Sequence, residues 1–178
     1  MGARVIGPLT RGDFMIRKME LEDAARAAEI CVLEWRNAYR GIISDAVLFE
    51  KNWISQRIAQ FEAFTDNPFQ ENYVFDDGII KAFSIIGPCR DKDKTDSYEL
   101  WGLYVDHSMH NKGIGTQMIA FCEGRARELA HSEVVLWTLE ENRKARDFYE
   151  NRGYTPDGSK KFIEKYQVNE VRYSKKLI

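Results

Sequence analysis

The first part of the chain carries an apolar pattern that changes from a strand-like to a helical period. Residues 14 to 19 predict a short strand. A helix is expected to begin at the acids Glu22 and Asp23, because negative charge is favoured at a helix start, and to end near Gly41. Four small or apolar residues share one face of this helix: Ala24, Ala28, Cys31 and Trp35.

A second helix is predicted by the next run of apolar residues. It is expected to begin at Ser44 or Asp45, either of which can cap it, and to close at Asn67 and Pro68. Its apolar positions are Val47, Leu48, Ile54, Ile58 and Phe61. Two helices are therefore expected before the chain returns to strands.

Strand-like patterns return in the middle of the chain. Residues 72 to 76 and 79 to 87 predict a hairpin, because Asp77 and Gly78 between them form a favourable turn. A polar loop over residues 88 to 97 leads into a predicted strand over residues 98 to 105.

A helix separates this strand from the next one, which is predicted over residues 133 to 139. The positions on one face of the helix are Ile114, Met118, Cys122, Ala126 and Leu129. Such a β-α-β passage forms a right-handed crossover between parallel strands. The sheet is therefore expected to be mixed.

The last part of the chain predicts a short helix and two strands. The helix covers residues 141 to 154, begins at the capping residue Asn142 and stops at Gly153, and the strands follow over residues 161 to 166 and 170 to 176. The element order β, α, α, β, β, β, α, β, α, β, β predicts an α/β (α+β) fold, with a central sheet of about seven strands flanked by about four helices.

Composition limits the number of domains and the kinds of partner. With 178 residues, 44% of them apolar, the chain is expected to form one domain, which we place at residues 14 to 178. Residues 1 to 13 are an N-terminal extension that can be flexible. The 26 basic and 28 acidic residues leave a formal charge of −2, too small a field to attract nucleic acid or an anionic membrane surface.

Cysteine usage and the absence of long apolar runs bear on location. The three cysteines are odd in number and widely spaced, as is typical of reduced thiols. No apolar run approaches the ~20 residues that span a bilayer, and the amino terminus lacks the apolar core of a signal peptide. We therefore expect a soluble, cytoplasmic protein.

A turn with two glycines, Gly113 and Gly115, joins the strand over residues 98 to 105 to the following helix. Bare backbone at a helix start is suited to holding a phosphate. A Walker A loop is excluded because Lys112 precedes the glycine and Ile114 follows it. The dinucleotide fingerprint also fails, because Met118 stands where a third glycine is required.

The turn resembles the acetyl-CoA motif of the GNAT family of N-acetyltransferases, which reads Gln or Arg, two residues, Gly, one residue, then Gly or Ala. The matching stretch is His110-Asn111-Lys112-Gly113-Ile114-Gly115, with His110 in the Gln or Arg position. Further family features match in order before and after it, at Leu103-Tyr104-Val105 and at Asn142, Ala145, Phe148, Tyr149, Gly153 and Tyr154. The resemblance covers roughly residues 14 to 178 and implies the acyl-CoA N-acyltransferase fold.

The resemblance implies acetyl-CoA as cofactor and a set of residues that hold it. The thioester arm is expected along the Leu103 to Val105 strand and the pyrophosphate at the glycine turn, with Asn142 capping its helix and touching the arm. The residues implied to bind the cofactor are Leu103, Tyr104, Val105, His110, Asn111, Lys112, Gly113, Ile114, Gly115, Thr116, Asn142 and Ala145.

Two catalytic roles follow from the resemblance. Tyr149 occupies the family position of the acid that protonates the leaving thiolate, and a phenol with a pKa near ~10 is protonated at neutral pH. A core aromatic is the alternative interpretation. Glu99 occupies the position of the base that accepts the amine's proton, and the alternatives are a solvated acid at a strand end and a chain of water molecules.

The acceptor is expected to be a primary amine of a small molecule or peptide, acetylated by direct transfer. The resemblance directs the search for its site to residues 34 to 48, where Trp35 and Tyr39 share a helix face, and Trp101 is a further candidate. The alternative function is a non-catalytic acyl-CoA binding or sensing module. A homodimer through the terminal strand is compatible with the sequence, and neither nucleic acid nor membrane is expected as a partner.

His107 and His110 are three residues apart in the turn after residue 105. The sequence suggests no third ligand for them, so no metal site is expected.

Overall fold

A mixed sheet of seven strands organises the part of the chain described by a computed structural model, namely residues 15 to 51, 53 to 64 and 67 to 177. The strands are β1 Met15–Lys18, β2 Glu71–Asp76, β3 Ile80–Pro88, β4 Tyr98–Val105, β5 Glu133–Leu139, β6 Thr155–Ile163 and β7 Val168–Lys176. Their order in the sheet is β1-β2-β3-β4-β5-β7-β6. The expected extension over residues 1 to 13 lies outside the described residues.

The only parallel pair among these strands is β4 with β5, as the predicted β-α-β crossover requires. This pairing is short, because it joins only residues 98 to 100 of β4 to residues 134 to 136 of β5. Beyond Leu100, β4 continues beside β3, and β5 continues beside β7. We call the region between residues 101 to 105 and 137 to 139, where the two strands are not paired, the β4–β5 gap.

Four helices of eight residues or more cover the described sheet: α1 Ala24–Ala38, α2 Ile54–Phe64, α3 Ile114–Glu128 and α4 Arg143–Glu150. α1 and α2 pack on one face, where Ala28 and Phe61 meet Phe83 of β3. α3 packs on the other face, where Cys122 meets Leu100 of β4. The expected mixed sheet with about four helices is confirmed.

The predicted second helix is wrong in its extent, because the structure divides it. Ala46–Glu50 forms one π-helical turn, and α2 begins only at Ile54. The two pieces bury their apolar residues in different places, since Leu48 packs with Ile43 and Leu139, whereas Phe61 packs in the cluster of α1. The indole N–H of Trp53 donates to the Glu50 carbonyl at 2.7 Å and closes the turn.

The predicted strand over residues 161 to 166 is also misplaced. β6 runs over Thr155–Ile163, and its pairing with β7 shifts register between Pro156 and Lys160, where Gly158 has a φ of +90°. Proline and glycine mark loops in a sequence, but here they lie in a bulged edge strand. β7 lies between β5 and β6, so both of its edges are paired and the proposed dimer contact through the terminal strand is wrong.

Candidate active site

The β4–β5 gap leaves one edge of β4 without a partner strand. The Asp106 N–H donates to the Lys81 carbonyl at 2.8 Å, on the β3 side. Because backbone polar groups alternate sides along a strand, those of Leu103 and Val105 point the other way, into the gap. This edge can pair with an extended ligand.

The turn before α3 provides backbone donors at the end of the same edge. Asn111 and Gly113 have φ values of 61° and 81°, and Gly113 is the N-cap of the helix. Within the described residues, the N–H groups of Ile114, Gly115 and Thr116 have no hydrogen-bond acceptor. Together with the helix dipole, such groups form a site for an anion.

Gly115 allows α4 to lie close to the first turn of α3. A Cβ atom at Gly115 would lie 3.0 Å from Cζ of Phe148 on α4 and 3.7 Å from Cγ2 of Val105. A side chain here would therefore push α4 away from the mouth of the gap.

Arg152 is a candidate site residue that the sequence reasoning missed. Its Nε lies 3.2 Å from Oγ1 of Thr116, its Nη1 donates to the Phe148 carbonyl at 2.7 Å, and its guanidinium lies 3.7 Å from the centroid of the Phe148 ring. It therefore adds positive charge beside the anion site. The sequence signal for Arg152 was its position three residues after Tyr149, within the same predicted helix.

Asn142 caps α4 as predicted, because its Oδ1 accepts the N–H of Ala145 at 3.2 Å. Lys112 is exposed, and its Nζ lies 3.5 Å from Sδ of Met109. The main chain of Tyr104 faces β3, and its hydroxyl accepts the indole N–H of Trp35 at 3.2 Å. Tyr104 thus contributes to the α1 side of the sheet through its ring.

Tyr149 lies on α4 among other aromatic rings, with its ring centroid 5.3 Å from that of Phe148 and 6.0 Å from that of Tyr154. Burial raises the pKa of Tyr149 well above its ordinary value. Burial also raises the pKa of Tyr39, and the charge of Tyr149 raises it further. Both phenols therefore remain protonated at neutral pH.

Glu99 lies in the closed part of the sheet, in register with Gly87 of β3 and Val135 of β5. It is 1% exposed, so its interpretation as a solvated acid is wrong. Its Oε2 accepts the backbone N–H of Arg90 at 2.9 Å and the Nε–H at 3.1 Å, and its Oε1 pairs with Nη2 of the same residue. Arg90 in turn lies over the ring of Trp101.

An aromatic group lies where α1 ends. The ring centroid of Trp35 is 5.2 Å from that of Tyr39 and 5.4 Å from that of Tyr166, which follows β6. The guanidinium of Arg57 lies 4.9 Å from the Trp35 centroid. The predicted acceptor residues Trp35 and Tyr39 are therefore in contact and lie on the α1 face of the sheet.

His110 is directed toward α1. Its Nε2 lies 3.0 Å from the Val105 carbonyl and 3.0 Å from Oε2 of Glu34. Because a carbonyl oxygen only accepts, Nε2 carries the proton. The imidazole thus donates a hydrogen bond to a backbone carbonyl at the edge of the gap. Glu34 is a second site residue that the sequence analysis did not identify.

No helix in the described ranges combines the length and apolar character needed to cross a membrane.

Comparison with known proteins agrees with this architecture. The family model described as the acetyltransferase (GNAT) family matches residues 28–154. The chain is 26% identical over 136 residues to the uncharacterized N-acetyltransferase YuaI of Bacillus subtilis, covering 71% of this chain and 72% of the relative.

Two solved structures share the fold. The paia N-acetyltransferase of Thermoplasma acidophilum, in complex with coenzyme A, superposes with a TM-score of 0.72 at 20% identity, covering 92% of this chain and 99% of the other. The yncA protein of Salmonella typhimurium, a putative acetyltransferase with its cofactor acetyl-CoA, gives 0.67 at 15% identity, covering 94% and 95%. The family model covers most of the chain, and we conclude that this protein belongs to the GNAT family of acetyltransferases, whose cosubstrate is acetyl-CoA.

Proposed function

We propose that this protein transfers an acetyl group from acetyl-CoA directly to a primary amine of a small molecule or peptide. The observation that carries the proposal is the continuous path from the free edge of β4 to the unpaired N–H groups at the start of α3. An extended arm with a phosphate group at one end fits that path, because strand edges bind amides and helix starts bind anions.

Cofactor binding is assigned to groups along this path. The backbone polar groups of Leu103 and the N–H of Val105 pair with the amide-bearing arm, because the Val105 carbonyl already accepts from His110. The N–H groups of Ile114, Gly115 and Thr116 hold the pyrophosphate. Arg152 supplies charge beside them. The remaining assigned residues shape the turn or border the arm: Tyr104, His110, Asn111, Lys112, Gly113, Asn142 and Ala145.

Tyr149 is proposed as the general acid. Acetyl-CoA supplies the reactive thioester, and the departing sulfur needs a proton. The Tyr149 hydroxyl holds a proton at neutral pH, and burial raises its pKa further, so it is present in the donating form across the working range. A substitution to phenylalanine keeps the packing with Phe148 and Tyr154 and removes only the hydroxyl group.

Glu99 is proposed as the base, either directly or through water. Its carboxylate is held by Arg90, whose side chain is 55% exposed and can move. We expect Glu99→Gln to lower turnover at least about tenfold if Glu99 accepts the amine's proton. Unchanged turnover across pH would instead assign the proton to a water chain.

The acceptor is proposed to enter from the α1 face, beside Trp35 and Tyr39. Both residues pack in one cluster with Leu139, which lies at the end of β5 and borders the β4–β5 gap. We also propose a cytoplasmic location, which is supported by the three free thiols. A homodimer would have to use another surface than β7, and the edge strands β1 and β6 are the candidates.

The test begins with thermal shift on addition of acetyl-CoA, followed by a thiol-release screen over diverse amines. Stabilisation with turnover of at least one amine class supports the proposal. Stabilisation without any turnover favours the alternative of an acyl-CoA binding module. If the folded protein is not stabilised by acetyl-CoA, both functions are rejected.

A further inference from the structure

Glu34, His107 and His110 form a cluster between α1 and the turn that follows β4. One ligand atom from each residue can be chosen so that all three lie within 4.8 Å of one another. The two histidines are neighbours in sequence, but Glu34 is brought to them only by packing of α1 on the sheet. The reason for expecting no metal here was the lack of a third ligand, and the fold supplies one.

The Glu34 carboxylate is buried and only half satisfied. The residue is 8% exposed, and Oε2 lies 3.0 Å from Nε2 of His110. Oε1 has no hydrogen-bond partner in the described part of the chain, and Nδ1 of His107 is 3.9 Å away. An unpaired buried carboxylate oxygen costs free energy, which a cation beside it would offset.

We propose that Glu34, His107 and His110 bind one divalent first-row transition metal ion, with Zn²⁺ as the representative. Two imidazole nitrogens and one carboxylate oxygen are a donor set that suits Zn²⁺, Ni²⁺ or Co²⁺ better than Mg²⁺ or Ca²⁺. Three protein ligands leave coordination positions for water.

The surroundings allow an ion to enter and the ligands to close on it. Ligands of one Zn²⁺ lie about 2.0–2.2 Å from the metal, so the three side chains must draw together. The His107 and His110 side chains are 67% and 37% exposed and can rotate. Asn37, which now donates to Nδ1 of His107 at 2.9 Å, is itself exposed and can turn to water.

A simple Glu34–His110 hydrogen bond explains less of the arrangement. This hydrogen bond satisfies Oε2 of Glu34 but leaves Oε1 without a partner. It also does not explain why His107 lies beside the pair. Metal binding at Nε2 of His110 would displace the proton now shared with the Val105 carbonyl, and so release a backbone group at the edge of the β4–β5 gap.

The test is calorimetric titration of the full, tag-free chain with ZnCl₂ after chelator treatment and dialysis. We expect one site per chain in the wild type. His107→Gln should weaken it at least about tenfold, because one ligand of three is lost while an exposed residue leaves the fold intact. Titration with CoCl₂ gives an independent readout, namely visible absorption bands that His107→Gln removes.

His131→Gln is the matched control. It changes the third histidine of the chain, whose Nδ1 lies 2.8 Å from the Asp96 carbonyl, and should bind Zn²⁺ as the wild type does. Glu34→Gln should also weaken binding, with circular dichroism showing whether it folds. Absence of one-to-one binding in the wild type overturns the proposal. So does binding that His107→Gln leaves unchanged, or that falls instead in Cys89→Ser.

Discussion

The two ends of β4 differ in what surrounds their backbone. At the start, residues 98 to 100 are paired on both sides, and Glu99 is buried against Arg90. At the end, residues 102 to 105 are paired with β3 but not with β5, and the chain continues into the left-handed Gly113. The two ends of one strand therefore differ in pairing. Its closed start joins the two halves of the sheet, and its open end leaves the edge on the β5 side without a partner strand.

The largest effect is expected from Tyr149→Phe. This variant tests whether acetyl transfer takes place beside the open end of β4. Turnover should fall about 100-fold, because the proposed general acid is lost. Affinity for acetyl-CoA and the thermal midpoint should change little, since the ring remains. Steady-state kinetics measures this, with Tyr154→Phe as control because that change removes the hydroxyl of a neighbouring buried ring. Equal turnover in both variants would leave Tyr149 as a core aromatic.

The closed end should govern stability in acid, through Glu133 at the start of β5. Burial alone would raise the pKa of Glu133, but hydrogen bonds from Lys94 and Ser97 outweigh it and lower the pKa to about 2. Because the folded state holds the proton less tightly than the unfolded state, this stabilisation is present at neutral pH. It is lost as the pH falls from the usual value near ~4.5 toward 2.

Glu133→Gln should therefore lower the free energy of unfolding at pH 7 by about 2 kcal/mol. The difference from the wild type should shrink in acid. Urea unfolding of both proteins between pH 7 and pH 3 measures it. A difference that stays constant over this range would show that the charge of Glu133 does not stabilise the closed end.

A smaller effect on ligand affinity is expected from Gly115→Ala at the open end. The added Cβ meets the Phe148 ring at 3.0 Å, so α4 must shift beside the anion site. Affinity for acetyl-CoA should fall about tenfold by calorimetry. Gly124→Ala is the control within the same helix, because no atom lies within 4 Å of its Cβ. That variant should keep affinity and gain about 0.5–1 kcal/mol of stability.

The smallest effect is expected from Arg152→Gln. Its charge lies beside the start of α3 and is partly exposed, so affinity for acetyl-CoA should fall only about threefold at low salt, and less at high salt. Lys165→Gln, an exposed change after β6, should have no effect. A loss that salt does not reduce would indicate that Arg152 acts through its packing on Phe148.

Local chemistry explains which features could be predicted from the sequence. The bounds of β4 and β5 coincide with the apolar runs of the sequence. The turn at Gly113 was predictable because glycine adopts the positive φ that a tight turn before a helix requires. Asn142 was likewise predictable as a cap from its place before α4.

Other features depend on tertiary contacts that no local pattern encodes. Glu34 reads as one more polar residue of α1, and only the packing of α1 on the sheet brings it to His110. Glu99 could be placed on β4, but its pairing with Arg90 depends on the path of the loop before that strand. β6 was misplaced because a bulge let proline and glycine enter a strand.

The brevity of the β4–β5 pairing has a mechanical consequence. Only three residue pairs join the two halves of the sheet. A ligand arm that paired with the free edge of β4 would add backbone hydrogen bonds beyond those three pairs. Bound cofactor would then act as an additional strand. Amide hydrogens of Leu103 and Val105 should then exchange more slowly when the cofactor is bound than in the free protein.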